Sequence, residues 1–138
     1  MSSKLNPYIS FDGNTREAME FYKTVFGGKL DFSTFGESGV TEGVKPDGIM
    51  HAMLVADNGI TLMASDSVTG YRDMKVGTNI SVSLSGDDEA ELTGYYNKLV
   101  DGGKVEQPLT KAPWGDTFGM CTDKYGLFWM VNIAGKKP

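Results

Sequence analysis

The 138-residue chain holds one histidine, His51, and one cysteine, Cys121, against 18 acidic and 13 basic residues. Imidazole, with an ordinary pKa of about 6.5, suits proton transfer near neutrality, so His51 is a candidate general base or donor to a ligand. A single histidine serves equally well as a hydrogen-bonded structural residue, and both readings stay open. Cys121 has no CxxC companion and no second cysteine for a disulfide. A small buried apolar residue is its simpler reading. Trp114-Gly115-Asp116 offers either an aromatic lid with a carboxylate or a turn anchored by a tryptophan. Asp66 and Asp123 fall at the ends of expected strands, where aspartate commonly accepts local turn hydrogen bonds. Glu106 could supply a carboxylate but has no evident partner. The 8 methionines could form an adaptable lining, although Met also fills ordinary cores.

The composition bounds what these residues can be part of. A chain of this length fits one domain, and 40% hydrophobic with 22% charged residues is an ordinary globular balance. The net charge of −5 and pI near 4.8 leave no basic face for phosphate, so no nucleic-acid partner is expected. No long apolar span or signal-peptide core is present, so no membrane partner is expected and the location expected is cytoplasmic. The 18 glycines imply many turns and short strands.

The elements that must position the candidates come in two similar sets. Residues 5–11 read as a strand and Asn14 as a helix N-cap, with Glu17 three positions on as its capping-box partner. Ala18, Phe21, Tyr22, Val25 and Phe26 make one apolar stripe at helical spacing, and Gly27-Gly28 ends the helix. Strands are expected at 29–35, 49–56 and 60–65, with 36–48 as a loop. The second set opens with strict alternation over 79–85, then a helix capped by Asp87 or Asp88. Its stripe, Leu92, Tyr95, Tyr96, Leu99 and Val100, lies 74 positions after the first, and Gly102-Gly103-Lys104 repeats Gly27-Gly28-Lys29. Strands near 104–107, 117–122 and 127–133 complete it. The expectation is an internal duplication within 1–138: modules at about 1–66 and 77–134, joined by a linker at 67–76. One helix covers one sheet face, so the other face is expected to curl around a cavity.

The ordered motifs resemble a known family. They are Pro7-Tyr8, Phe11-Asp12-Gly13-Asn14, Phe21-Tyr22, Phe26-Gly27-Gly28, Met50-His51-Ala52 and Met63-Ala64-Ser65-Asp66. The second half adds Trp114-Gly115-Asp116, Phe118-Gly119, Thr122-Asp123 and Trp129-Met130-Val131-Asn132. Over nearly its full length the chain resembles the PhnB-like branch of the vicinal oxygen chelate superfamily, which includes glyoxalase I, bleomycin-resistance proteins and extradiol dioxygenases. The resemblance implies an α+β fold of two βαβββ modules forming an open, curved mixed-sheet cup, usually as a homodimer. It also implies metal ligands on the first and fourth strands of the modules. Those positions fall here at Asn6 (or Pro7), Asn79, Met63 and Met130. Amides and thioethers are poor ligands for the hard or borderline divalent ions such sites hold, so neither a metal nor another cofactor is expected.

Alternation along the strands identifies the same face without the family. Asn6, Tyr8 and Ser10, then Thr61, Met63 and Ser65, then Asn79, Ser81, Ser83 and Ser85, then Phe128, Met130 and Asn132 all oppose the apolar sets. This mixed face suits an uncharged or planar organic ligand. Solvent or a dimer partner is the alternative occupant. The expected site residues are Asn6, Tyr8, Met63, Asn79, Ser81, Trp114, Asp116, Phe128 and Met130, with His51 as the catalytic candidate. The leading expectation is a small-molecule-binding protein without the usual metal ligands. The alternatives are a lyase, isomerase or dioxygenase with a displaced metal or with His51 acid/base chemistry beside Asp66, Asp116 or Glu106, and a drug-binding resistance protein. No glycine-rich strand-to-helix nucleotide motif supports methyl transfer from S-adenosylmethionine.

Overall fold

The computed structural model describes residues 3–40, 44–67 and 75–135. The chain divides into two compact units, Met1–Lys75 and Val76–Pro138. Most of the expected linker at 67–76 lies outside the described residues, as does part of the 36–48 loop.

In the first unit the order is β1 (Tyr8–Phe11), α1 (Thr15–Phe26), β2 (Lys29–Thr34), β3 (Ile49–Val55) and β4 (Thr61–Asp66). The sheet order is β1-β4-β3-β2, with β1 parallel to β4 and the other pairs antiparallel. The second unit repeats it: β5 (Val82–Gly86), α2 (Glu89–Val100), β6 (Lys104–Lys111), β7 (Thr117–Thr122) and β8 (Phe128–Ile133). Its sheet order is β5-β8-β7-β6, with β5 parallel to β8. The fold is α+β, two βαβββ modules, as the pattern and the resemblance lead one to expect.

Helix α1 packs on β2, β3 and β4 through Ala18, Met19, Tyr22, Val25 and Phe26, all buried. Phe21 of the expected stripe is only half-buried, and Met19 takes the central place. Under the helix the sheet contributes Ile49, Ala52, Leu54, Leu62 and Ala64, again all buried. The alternation of β4 and β8 is strict: Leu62, Ala64 and Asp66 are buried between half-buried neighbours, and so are Trp129, Val131 and Ile133.

The repeated Gly-Gly is a steric requirement. Gly27 and Gly102 adopt left-handed φ values of 72° and 77°, which release the chain from each helix. A Cβ on Gly28 would collide with the Val55 carbonyl, and one on Gly103 with the Thr122 carbonyl. In each unit the second strand therefore starts against the backbone at the end of the third.

Three expectations need correction. Asn14 sits at the N-cap of α1 but makes no capping hydrogen bond. Asp66, at the end of β4, does that work: its Oδ1 accepts from Thr15 N at 3.1 Å and Thr15 Oγ1 at 2.6 Å, and its Oδ2 from Ile49 N at 2.8 Å. A carboxylate 51 residues away outcompetes the local cap because it satisfies two donors at once. Asp88 does cap α2, accepting from Glu91 N at 3.0 Å. Second, β5 begins at Val82, not residue 79. Val82 pairs with Trp129, so further back the partner runs into the turn at Gly126 and no ladder remains. Third, β6 extends to Lys111, bulging between Val105 and Gln107 and again between Gln107 and Thr110. As an outer strand carrying Pro108 it can bulge without breaking an interior ladder.

Asp66→Ala would leave three donors facing a buried void. We expect a loss of unfolding free energy of about 3 kcal/mol, with the denaturant slope unchanged, in urea titrations followed by tryptophan fluorescence.

Candidate functional site

The face of the first sheet turned away from α1 is built by register. Tyr8 pairs with Met63, Met63 with Met53, and Met53 with Asp31, which makes one row across four strands. The adjacent row places Ser10 opposite Ser65 and His51 opposite Ser33. His51 alternates with the fully buried Ala52 and is itself half-buried, so the structure assigns it a face that the apolar pattern of its strand left undecided. Diagonally across the rows, the Tyr8 hydroxyl lies 3.1 Å from His51 Nδ1, with the rings 5.7 Å apart. Tyr8 remains 48% exposed, so the pair is reachable from solution.

In the second unit the corresponding row is Ser83, Met130, Met120 and Gln107, and beside it run Ser85, Asn132, Phe118 and Thr110. Each sheet therefore carries a cross-strand methionine pair at its centre, Met53 with Met63 and Met120 with Met130. Phe128 pairs with Thr122, whose hydroxyl donates to Glu106 at 3.1 Å. Glu106 also lies 3.9 Å from Lys104, so it is partnered after all. Asn6 precedes β1 and is half-buried, while Asn79 and Ser81 precede β5 and are exposed. The residue opposite Met130 is thus Ser83, and the one opposite Met63 is Tyr8.

Trp114 is 71% exposed in the turn before β7. Asp116 closes that turn. Its backbone carbonyl accepts from Ala112 N at 2.6 Å, and its carboxylate accepts from Asn132 Nδ2 at 3.1 Å and Gly135 N at 2.9 Å. Asp123 is 3% exposed and accepts from Tyr125 N, Leu127 N and the Trp129 indole at 2.8, 3.2 and 2.8 Å. Both carboxylates are consumed by structural bonds. Those of Asp123 are local, as expected, whereas those of Asp66 reach Thr15 and Ile49, 51 and 17 residues away, and correct the expectation of a local turn. Asp66 lies on the α1 side of its sheet, opposite to His51, and so is not its acid/base partner.

The positions that the resemblance assigns to a metal hold Asn6 (or Pro7), Asn79, Met63 and Met130, and the residues paired with the two methionines are Tyr8 and Ser83. Among the described residues no three of His, Cys, Asp and Glu gather in a way that could hold an ion. This donor set does not fit a hard divalent cation. A concavity of about 950 Å³ lies at the start of α1, bounded by Asp12, Arg16, Glu20, Lys45 and Asp47. Its charges are mixed, its carboxylate Asp66 is saturated, and Arg16 rests over the Phe32 ring at 4.6 Å.

Cys121 is 1% exposed, and burial first, then the charges of Asp123 and Glu106, push its thiol up to about 11. It stays protonated and inert at neutral pH. Burial likewise raises the Tyr96 phenol, which spans to β6 and β7 by donating to the carbonyls of Gln107 at 2.9 Å and Met120 at 3.3 Å.

Comparison with known proteins follows the fold. Residues 4–131 match the model of the Glyoxalase/Bleomycin resistance protein/Dioxygenase superfamily. Protein PA1353 from Pseudomonas aeruginosa is 38% identical, with a TM-score of 0.82 over 98% of this chain and 100% of that one. The PhnB protein from Bacillus cereus is 27% identical, with a TM-score of 0.73 over 96% and 100%. Protein YjdN of Escherichia coli (strain K12) is 28% identical over 145 residues, 97% of each chain.

Native Cys121 should resist a thiol-specific disulfide reagent at pH 8 and react stoichiometrically once guanidinium unfolds the chain. Because its folded value is raised, its contribution to stability is complete below the ordinary thiol pKa and declines as pH climbs toward 11. Unfolding titrations between pH 7 and pH 11 should therefore show a decline that a Cys121→Ala variant lacks in part.

Proposed function

The chain belongs to the Glyoxalase/Bleomycin resistance protein/Dioxygenase superfamily, and from that premise we propose that it binds a small organic molecule on sheet faces turned away from its helices, without an ion at the family's usual positions. The observation that carries this reading is the composition of those faces. Each presents a central methionine pair flanked by hydroxyls, with Tyr8 and His51 in the first unit and Phe118 and Phe128 in the second. Thioethers and aromatic rings offer polarizable, adaptable contact to a flat apolar molecule, and the neighbouring polar groups orient it. The expected residues Tyr8, Met63, Phe128 and Met130 lie on these faces. Asn6, Asn79 and Ser81 lie just before the strands and Trp114 and Asp116 in the turn before β7, so they would act from the rims.

The Tyr8–His51 contact supports a second reading, in which the first-unit face carries acid/base chemistry on the bound molecule. Replacing His51 by Ala without changing turnover of any substrate found would eliminate it. For assembly we propose a pair of identical chains. Leu5 is 100%, Ile80 75% and Val76 67% exposed, large apolar groups that a second copy could cover. No helix among the described residues is long and apolar enough to cross a membrane.

Two measurements follow. Protein purified from cells should carry no stoichiometric divalent ion by elemental mass spectrometry, and chelator dialysis should leave its organic-ligand binding unchanged. One tightly held divalent ion per chain would refute the reading. Sedimentation should give twice the 15.0 kDa chain mass, and a monomer at high protein concentration would refute the pairing.

A further inference from the structure

The first-unit face has one feature beyond shape and polarizability, the fixed edge of an imidazole. The Tyr8 hydroxyl and His51 Nδ1 are 3.1 Å apart. A phenol O–H is a far stronger acid than the N–H of a neutral imidazole, so the hydroxyl donates and Nδ1 accepts. The ring proton then resides on Nε2. When the imidazole is protonated Nε2 also carries hydrogen, so in either state it is a donor. Among the described residues no protein group accepts from it. The serines of the same row, Ser10, Ser33 and Ser65, are rotors that can donate or accept. Nε2–H is a donor of set polarity beside the methionine pair; the other groups of set polarity on this face, the exposed Lys29 ammonium and Asp31 carboxylate, stand on the outer strand 3.9 Å from each other.

We infer that the Tyr8–His51 pair is the specificity determinant of the first-unit face and selects ligands that bring a hydrogen-bond acceptor, a carbonyl, carboxylate or phenolate oxygen, on a flat apolar body that rests on Met53 and Met63. His51 makes the contact. Tyr8 is a positioning residue: its bond chooses the tautomer and fixes the ring. A ligand whose polar end is a donor alone meets Nε2–H head-on and gains no hydrogen bond from it. An acceptor aligned with a pre-oriented N–H gains a hydrogen bond without ordering the imidazole at the moment of binding. The inference rests on the binding reading above and narrows its chemistry.

The test uses the full chain with two probes of one skeleton, 2-naphthoate, which carries the acceptor, and naphthalene, which does not. Contact is read from the methyl resonances of isotope-labelled Met53 and Met63, and the hydrogen bond from the two ring-nitrogen shifts of labelled His51. We expect 2-naphthoate to bind at least tenfold tighter than naphthalene, with both probes moving the two methyl signals. In the complex the nitrogen shifts should report Nε2–H with Nδ1 as acceptor. His51→Leu should abolish the tenfold preference while naphthalene still binds. Tyr8→Phe should shrink the preference and shift the nitrogen pair toward a tautomer mixture, a change that loss of packing alone does not produce. If naphthalene binds and 2-naphthoate gains nothing, or if the preference survives in His51→Leu, the inference falls and the binding reading stands. If neither probe moves the methyl signals, both fall.

Discussion

Four strands and one helix cannot hide both faces of a sheet. In each unit the helix takes the large apolar side chains of one face, and among the described residues the three-stranded run that follows it has no element of its own unit packed on its opposite face. This asymmetry governs where every polar group goes. On the helix side, a polar group is tolerated only when fully bonded, as with Asp66 and Asp123. On the other side, serines, threonines, His51 and Asn132 alternate with methionines and rings at no such cost.

The two units share shape more strictly than chemistry. Both units need a glycine where the second strand starts against the carbonyl that ends the third, and both keep it. Their buried carboxylates differ. Asp66 ties the start of α1 to the edge of β3, whereas Asp123 ties a hairpin turn to the indole of Trp129. Backbone collision admits one solution, the absence of a Cβ. Satisfying donors admits many, so each half could settle on its own.

The same freedom applies to the exposed rows. With thioethers where carboxylates and imidazoles would be needed for an ion, the central pair of each sheet exchanges charge-based recognition for dispersion and shape. Directionality in the first unit then rests with one phenol–imidazole contact, and in the second with amide and hydroxyl groups such as Asn132, itself held by Asp116.

The sequence by itself determined the element order, the two helical stripes, the doubled Gly-Gly and the alternation that separates Leu62 and Ala64 from Met63, and Trp129 and Val131 from Met130. These follow from periodicity, which is a local property of the chain. The tertiary structure alone decided which residues stand side by side. Register is set by strand pairing over dozens of residues, so only it could put Tyr8 opposite Met63, start β5 at Val82, and give His51 a face its apolar strand did not reveal. It also replaced a local cap on α1 with a carboxylate from the far end of the module. Such long-range bonds leave no mark on nearby residues, because the donor and the acceptor that choose each other are strangers in sequence.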